Sequence, residues 1–245
     1  MEKEKQEKTV GIIGGMGPEA TVDLMSRLIR LTPALDDADH IRCIVDNNPK
    51  VPSRIKALIE GGGESPAPEL QEMARRLEAW GADFLAMPCN TSHYYFQDIQ
   101  DAVSIPVLNL IEITTREVVE QQSGIVTAGI LGSTTMILTG LYQHAFAASG
   151  ANVVYPEACS QERVMAAIKD IKKGRVNQVA SVLAEALSSL QAQGARAVVV
   201  ACTELSLLPV ASPPLPLYDA ADILAREIIR TCKGHSTHPS HERNS

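Results

Sequence analysis

The sequence predicts an α/β protein made of two similar α/β domains, each with a mostly parallel sheet, related by a pseudo-twofold axis. Two observations carry this prediction. Short, β-rich apolar runs alternate with amphipathic stretches along the chain, the pattern of βαβ units. Three sequence blocks also occur twice, in the same order. Thr9-Val10-Gly11-Ile12-Ile13-Gly14 resembles Thr127-Ala128-Gly129-Ile130-Leu131-Gly132. Gly81 to Cys89 and Gly194 to Cys202 both read Gly-Ala, an apolar run, then Cys, with eight positions from Gly to Cys. Ile105-Pro106-Val107-Leu108-Asn109 is echoed by Leu215-Pro216-Leu217-Tyr218-Asp219, each ahead of a helix that contains Arg-Glu. The copies are offset by 118, 113 and 110 residues, a drift that loops absorb.

In the first half the buried strands are expected at Val10–Ile13, Ile41–Val45, Phe84–Met87 and Val107–Leu108. In the second half they are expected at Val126–Leu131, Asn152–Val154, Ala197–Val200 and Leu215–Leu217. Each is a short apolar run. Between them, Leu70, Met73, Ala74, Leu77 and Trp80 recur at helical spacing, as do Val179, Val182, Leu183, Leu187 and Leu190. The first domain is expected over 9–115 with Cys89, and the second over 116–230 with Cys202. A helix near the carboxyl terminus is available to pack back on the first domain, and 1–8 and 233–245 are expected as tails. Ligands of such sheets bind beyond the carboxyl ends of the strands. Cys89, Cys202, the Gly14–Gly17 turn and the Gly132–Thr134 turn all fall there, and a pseudo-twofold axis brings these four ends to one cleft.

Composition narrows the classes of function. A chain of 245 residues, 45% hydrophobic and 21% charged, buries a real core. A net charge of -7 speaks against nucleic acid or an anionic membrane as partner. No apolar run reaches the length of a membrane helix, and the charged lead-in Met1–Lys8 has no apolar region of a signal peptide behind it. Five cysteines, an odd number, in a chain without a secretion signal point to free thiols and the cytoplasm. Only 4% of the residues are aromatic, so Ile, Val, Leu and Ala build the core. The segment from Lys233 holds three His residues but little that packs, and a frayed tail is expected there.

Cys89 and Cys202 each follow a strand and precede polar residues, Asn-Thr or Thr-Glu. A helix amino terminus at that point lowers a thiol pKa toward neutrality and binds a carboxylate. A cysteine after a buried strand also serves as a small core hydrophobe, but two in echoing contexts favour a chemical role. Cys43, Cys159 and Cys232 lack that context. Gly14-Gly15-Met16-Gly17-Pro18 forms a strand-to-helix turn without the spacing of a dinucleotide fingerprint or the Lys of a P-loop. It serves either as a tight turn with Pro18 in the first helical turn or as a close approach to a small anion. Ser53 is a plausible N-cap, which puts Arg54 in a first helical turn, where an anion would justify its charge. Lys169, Lys172 and Lys173 flank an apolar stripe and read as a solvated face. His40, His93 and His144 have no zinc-ligand spacing to the cysteines, no Gly-x-Ser-x-Gly elbow is present, and a Cys-His hydrolase needs a histidine such as His93 beside Cys89.

These residues are similar to the aspartate/glutamate racemase family, the cofactor-independent amino-acid racemases. The resemblance rests on Gly-Gly-Met-Gly-Pro-Glu-Ala-Thr, Pro-Cys-Asn-Thr and Cys-Thr-Glu, in order over Thr9 to Arg230. It implies two similar α/β domains, an active site between them, and Cys89 and Cys202 as acid and base without a cofactor or metal. It also implies that Asn90, Thr91, Thr134 and Thr203 bind the substrate beside the cysteines, and that Met16 lies on the loop closing the site. Within the family the chain resembles aspartate racemases, in Asn-Pro-x-x-Pro-x-Arg ending at Arg54 and in Lys172 two residues before Gly174. Both cations are then implied to hold a side-chain carboxylate, with Lys169 one turn earlier as the competing lysine. Glutamate racemases carry Cys-Thr-His where this chain has Glu204. The resemblance implies racemisation of aspartate, a small amino-acid substrate as the partner, and a homodimer. Glutamate or broad-specificity racemisation, a Cys-dependent isomerase of dicarboxylates or hydantoins, and a non-catalytic amino-acid-binding protein are the alternatives.

Overall fold

The computed structural model describes residues 7–122, 127–175, 179–206 and 213–234. Its first sheet holds β1 (Val10–Gly14), β2 (Cys43–Asn47) and β3 (Phe84–Ala86) in the order β2-β1-β3. Its second holds β4 (Thr127–Leu131), β5 (Asn152–Val154), β6 (Ala197–Val200) and β7 (Leu217–Asp219) in the order β5-β4-β6-β7. All pairings are parallel. The first sheet gains a fourth position from a parallel bridge between Leu85 and Val107. The two orders then correspond, and each repeated block occupies equivalent places.

The expected strand at Ile41–Val45 starts later, at Cys43, and Val107–Leu108 reduces to that single bridge. Leu215–Leu217 moves to Leu217–Asp219. Pro216 explains the late start at Leu217, because proline has no N–H for the ladder. Each echoed proline instead accepts a bond from the neighbouring strand. Leu85 N–H donates to Pro106 O at 2.8 Å and Val198 N–H to Pro216 O at 2.9 Å. Val126, expected at the start of β4, lies outside the described residues, as do 1–6 and 235–245 of the expected tails.

Eleven helices are seen among the described residues. They are α1 (Pro18–Leu31), α2 (Arg54–Leu58), α3 (Ala67–Ala79), α4 (Phe96–Gln100), α5 (Leu110–Gln121), α6 (Thr134–Thr139), α7 (Leu141–Ala148), α8 (Ala158–Ile171), α9 (Val179–Ala192), α10 (Thr203–Ser206) and α11 (Ala220–Lys233). Helix α11 thus takes in Lys233, which was expected in the tail, and the Lys233 ammonium donates to Asp39 O at 2.7 Å.

Both sheets are covered on both faces, as the continuous apolar runs of β1 and β6, buried at every residue, require. In the first sheet Ile13, Leu85 and Met87 pack with Leu70, Met73, Ala74 and Leu77 of α3. In the second, Leu131, Val198 and Val200 pack with α8 and α9. The echoed glycines lie under these helices. A Cβ on Gly11 would stand 2.6 Å from Leu85 and 3.2 Å from Leu77, and one on Gly129 would stand 3.0 Å from Leu190. A larger residue at either position would push a helix off its sheet.

The opposite faces are covered by exchange. Val10, Ile12, Phe84 and Ala86 of the first sheet pack with Leu24 and Leu28 of α1 and with Leu224, Ala225, Ile228 and Ile229 of α11. Ala128, Ile130, Ala197 and Val199 of the second sheet pack with Ile111, Ile113 and Val118 of α5 and with Tyr142 and Phe146 of α7. Each half therefore gives the other a helix, α5 packing on the second sheet and α11 on the first. The expected division between 115 and 116 falls inside α5, and we propose that α5 belongs structurally with the second half.

The exchanged helices start alike, for Asn109 Oδ1 accepts from Ile111 N–H at 3.1 Å and Asp219 Oδ1 from Ala221 N–H at 2.9 Å. Their Arg-Glu echo pairs reciprocally: Arg116 lies 3.5 Å from Glu227, and Arg226 lies 3.4 Å from Glu117. A buried Arg27 on α1 also joins the halves, contacting Asp219 at 2.7 Å, Asp222 at 2.5 Å and Asp23 at 2.6 Å.

Candidate active site

Four strand ends converge as the repeated pattern predicts. The loops after β1, β3, β4 and β6 contribute Met16, Cys89, Ser133 and Cys202 to one cavity of about 140 Å³. Arg54, Asn90, Thr91, Lys172, Thr203 and Glu204 complete much of its wall. Both cysteines are nearly fully buried, and all five cysteines of the chain are free thiols.

The glycine turn after β1 is shaped by two contacts. Gly15 has φ +92°, and a Cβ on it would lie 2.3 Å from the Asn48 backbone, so only glycine lets this turn meet the loop that leads to Arg54. Gly15 N–H donates to Thr21 Oγ1 at 2.9 Å. Pro18 then opens α1, as expected. The Sδ of the buried Met16 lies 3.1 Å from Ser92 Oγ.

Cys89 follows a tight turn about Pro88, its N–H reaching Met87 O at 2.8 Å. The chain continues into a 3-10 turn, Thr91–Tyr95, whose Ser92 hydroxyl reaches back to Cys89 Sγ at 3.1 Å. His93 does not face this sulfur. Its Nδ1 bonds Cys89 O at 2.9 Å, while its Nε2 accepts from Leu110 N–H at 3.0 Å. Both nitrogens are used by backbone. Burial, opposed by hydrogen bonds at Cys89 and Leu108, lowers the imidazole pKa to about 4. The Cys-His arrangement of a hydrolase is therefore not formed by His93.

Cys202 has different company. Its Sγ–H donates to Glu204 Oε2 at 3.0 Å. Lys172 Nζ lies 2.5 Å from the other carboxylate oxygen. Burial, the Glu204 charge and the bond to Glu204 push the Cys202 thiol well above its usual pKa, against the opposing pull of Lys172. This corrects the expectation that a helix amino terminus lowers it, for α10 has only four residues and a carboxylate sits beside the sulfur. Burial alone would raise the Glu204 pKa, but the charge and hydrogen bond of Lys172 outweigh it and keep Glu204 ionised. Burial opposes the charge on Lys172, and Glu204, with both cysteines, more than restores it.

Ser53 caps α2 as expected, its Oγ accepting from Lys56 N–H at 3.3 Å. Arg54 follows and lines the cavity. Its Nη1 donates to Val51 O at 3.4 Å and Pro52 O at 3.1 Å, which aims the guanidinium without neutralising it. Lys172 caps the carboxyl end of α8 and lines the cavity, whereas Lys169 is exposed and does not.

Asn90, Thr91 and Thr203 line the cavity. Thr91 Oγ1 lies 3.4 Å from Ser133 Oγ and 3.2 Å from Thr135 Oγ1, which links the two halves by hydroxyls. Tyr142 Oη donates to Asn90 Oδ1 at 2.6 Å. The buried Asn90 Nδ2 has no protein partner among the described residues, so a donor is left for a ligand. Thr134 is the exception. As the first residue of α6, it faces α8, its N–H reaching Met165 Sδ at 3.1 Å and its Oγ1 accepting from Gln161 at 3.4 Å. The N-cap Ser133 takes the expected place on the cavity wall.

Sequence reasoning missed Ser92, Ser133 and the part played by Glu204. Ser92 stands three residues after Cys89, the spacing that returns a side chain over a turn. Glu204 was visible only as a departure from Cys-Thr-His.

A model of the Asp/Glu/hydantoin racemase family matches residues 13–228. The chain belongs to this family. The racemase fold agrees with solved structures. An aspartate racemase from Picrophilus torridus superposes with a TM-score of 0.81 at 30% identity, over 92% of this chain and 94% of that one. An aspartate racemase homologue from Pyrococcus horikoshii gives a TM-score of 0.74 at 23% identity, over 92% and 99% of the two chains. In sequence, the broad-specificity amino-acid racemase RacX of Bacillus subtilis is 28% identical over 91% of this chain and 97% of its own. The chain is thus an amino-acid racemase, an isomerase of the two-domain α/β type. Among the described residues no helix is long and apolar enough to cross a membrane.

Proposed function

We infer that this racemase interconverts L- and D-aspartate by a two-base mechanism that uses Cys89 and Cys202. The observation that carries the reading is that one thiol from each half lines the same small cavity. Inversion at the α-carbon needs a base on one face and an acid on the other, and a pseudo-twofold site supplies both. Neither step calls for a prosthetic group.

In one direction of the reaction Cys202 starts as the thiol, its Sγ–H held by Glu204, and Cys89 is the base. In this protonation state the Cys89 thiolate takes the α-proton. The electron pair of the broken C–H bond stays on the α-carbon and spreads into the carboxylate. The Cys202 S–H then delivers its proton to the opposite face, leaving Cys202 as the thiolate for the reverse direction. An α-proton is much less acidic than a thiol, so the carbanion needs fixed positive dipoles in a water-poor site. Asn90 Nδ2 and the hydroxyls of Thr91 and Thr203 offer these to the amino and carboxylate groups, and Met16 closes the cavity above them. Arg54 and Lys172 stand where a second carboxylate would fix orientation. The aspartate racemase among the similar structures supports this choice of side chain.

Broad specificity is favoured by one observation: Lys172 is already paired with Glu204. We also infer a cytoplasmic homodimer. The free thiols fit a reducing compartment. Val22, Met25 and Ile29 form an exposed apolar stripe on α1 that a second copy can cover, and sedimentation would show the dimer.

The deciding experiment incubates the protein with L-aspartate in heavy water without pyridoxal phosphate. Deuterium at the α-carbon and appearance of D-aspartate are expected. No exchange with any amino acid tested would refute catalysis by this site.

A further inference from the structure

We propose that Glu204 sets substrate specificity by occupying Lys172 in place of a substrate carboxylate. The inference rests on the site assigned above and concerns which side chains that site accepts.

The two cations of the cavity are not equivalent. Arg54 donates to two backbone carbonyls and has no carboxylate partner among the described residues. Lys172 has one, with its ammonium 2.5 Å from Glu204 Oε1. Glu204 is only 8% exposed, so its end of the pair is shielded, while the Lys172 side chain, 39% exposed, keeps one side toward solvent. Its other oxygen is held by Cys202 at 3.0 Å, which keeps the carboxylate in place. On the side of the glycine turn, even an added Cβ at Gly17 would stop 3.7 Å from Glu204 Oε1. No side chain from that position shields Glu204 from the cavity.

These contacts fix the charge balance. A substrate with a side-chain carboxylate meets Arg54 unneutralised but must share Lys172 with Glu204 or displace it. A substrate with a neutral side chain leaves the Lys172–Glu204 pair intact and buries no unpaired ammonium. Glu204 thus lowers the advantage of a dicarboxylic substrate and keeps the site open to neutral ones. It acts through Lys172 and is a positioning residue rather than an acid or base.

The test compares wild type with Glu204→Gln, which keeps the shape and an acceptor for Cys202 but removes the charge. The kcat/KM ratio of aspartate to alanine is expected to rise about tenfold, because any loss at Cys202 affects both substrates equally. Succinate, measured by calorimetry, is expected to bind more tightly by a similar factor. Both gains should vanish when Lys172→Met is added. Glu204→Asp, which keeps the charge but withdraws it from the ammonium, should shift both readouts the same way and guards against a variant that fails to fold. An unchanged or lowered ratio together with weaker succinate binding would overturn the proposal. Succinate binding needs no turnover, so it remains decisive if the heavy-water experiment shows no racemisation.

Discussion

Tyr142 Oη holds Asn90 Oδ1 at 2.6 Å, a bond from α7 of the second half to the loop after β3 of the first. It fixes which end of the amide is satisfied and leaves Nδ2 for the ligand. Tyr142→Phe removes the restraint but not the amide. We expect kcat/KM for aspartate to fall roughly fivefold, through both a raised KM and a lowered kcat, because Nδ2 serves the bound substrate and the carbanion alike. Steady-state kinetics in both directions checks this, and a fall in kcat alone would contradict it.

The two thiols have separate roles and should fail separately. Cys89→Ala and Cys202→Ala are each expected to lower net racemisation by at least about a thousandfold, near the upper range for a general acid or base. Circular dichroism at the substrate's absorption band follows the loss. A single-cysteine variant that racemises at the wild-type rate would exclude the two-base mechanism.

His93 links pH to stability. Its folded pKa of about 4 lies below the ordinary 6.5. The unfolded chain therefore takes up the proton first as pH falls. The contribution of His93 is complete above pH 6.5 and is lost as pH falls from 6.5 to about 4. Its size is about 3 kcal/mol at most. Urea unfolding across this window should show the decline. In His93→Gln the decline should be shallower, although the variant begins less stable through its lost backbone bonds.

Buried and exposed ion pairs joining the halves should differ in weight. Arg27 serves three carboxylates with its side chain only 6% exposed. Arg27→Met leaves Asp23 and Asp219 without their cation and Asp222 with only Arg30 at 3.8 Å, and should cost roughly 3 kcal/mol of unfolding free energy. Arg116→Ala breaks a half-exposed pair at 3.5 Å and should cost less than about 1 kcal/mol. Equal losses would show that burial does not set the weight of these pairs.

The strands and the convergence of the cysteines were legible because both follow from local pattern. Alternation along β1 or β6 fixes which residues face a helix, and the repeats fix which strand ends correspond. Thr134 and Ser133 were not distinguishable in this way. They are neighbours in a turn, and their side chains part toward distant partners, Thr134 toward Gln161 and Ser133 toward Thr91. Lys172 and Glu204 posed the same difficulty. Their spacing along the chain reveals nothing of a 2.5 Å contact, so Lys172 read as a solvated lysine from its stripe alone, and Glu204 only as a family mismatch. Pro216 moved the expected strand start from Leu215 to Leu217 because apolar content does not register a missing N–H.

The crossing of α5 and α11 has a consequence for biosynthesis. Val10, Ile12, Phe84 and Ala86 find part of their cover only in residues 224–229. During translation the amino-terminal sheet is made early, yet it keeps one apolar face incompletely covered until nearly all of the described chain has left the ribosome. The nascent first half must then stay soluble while incomplete, and its final closure waits for the second half. A chaperone that binds exposed β-branched surface has its window in that interval.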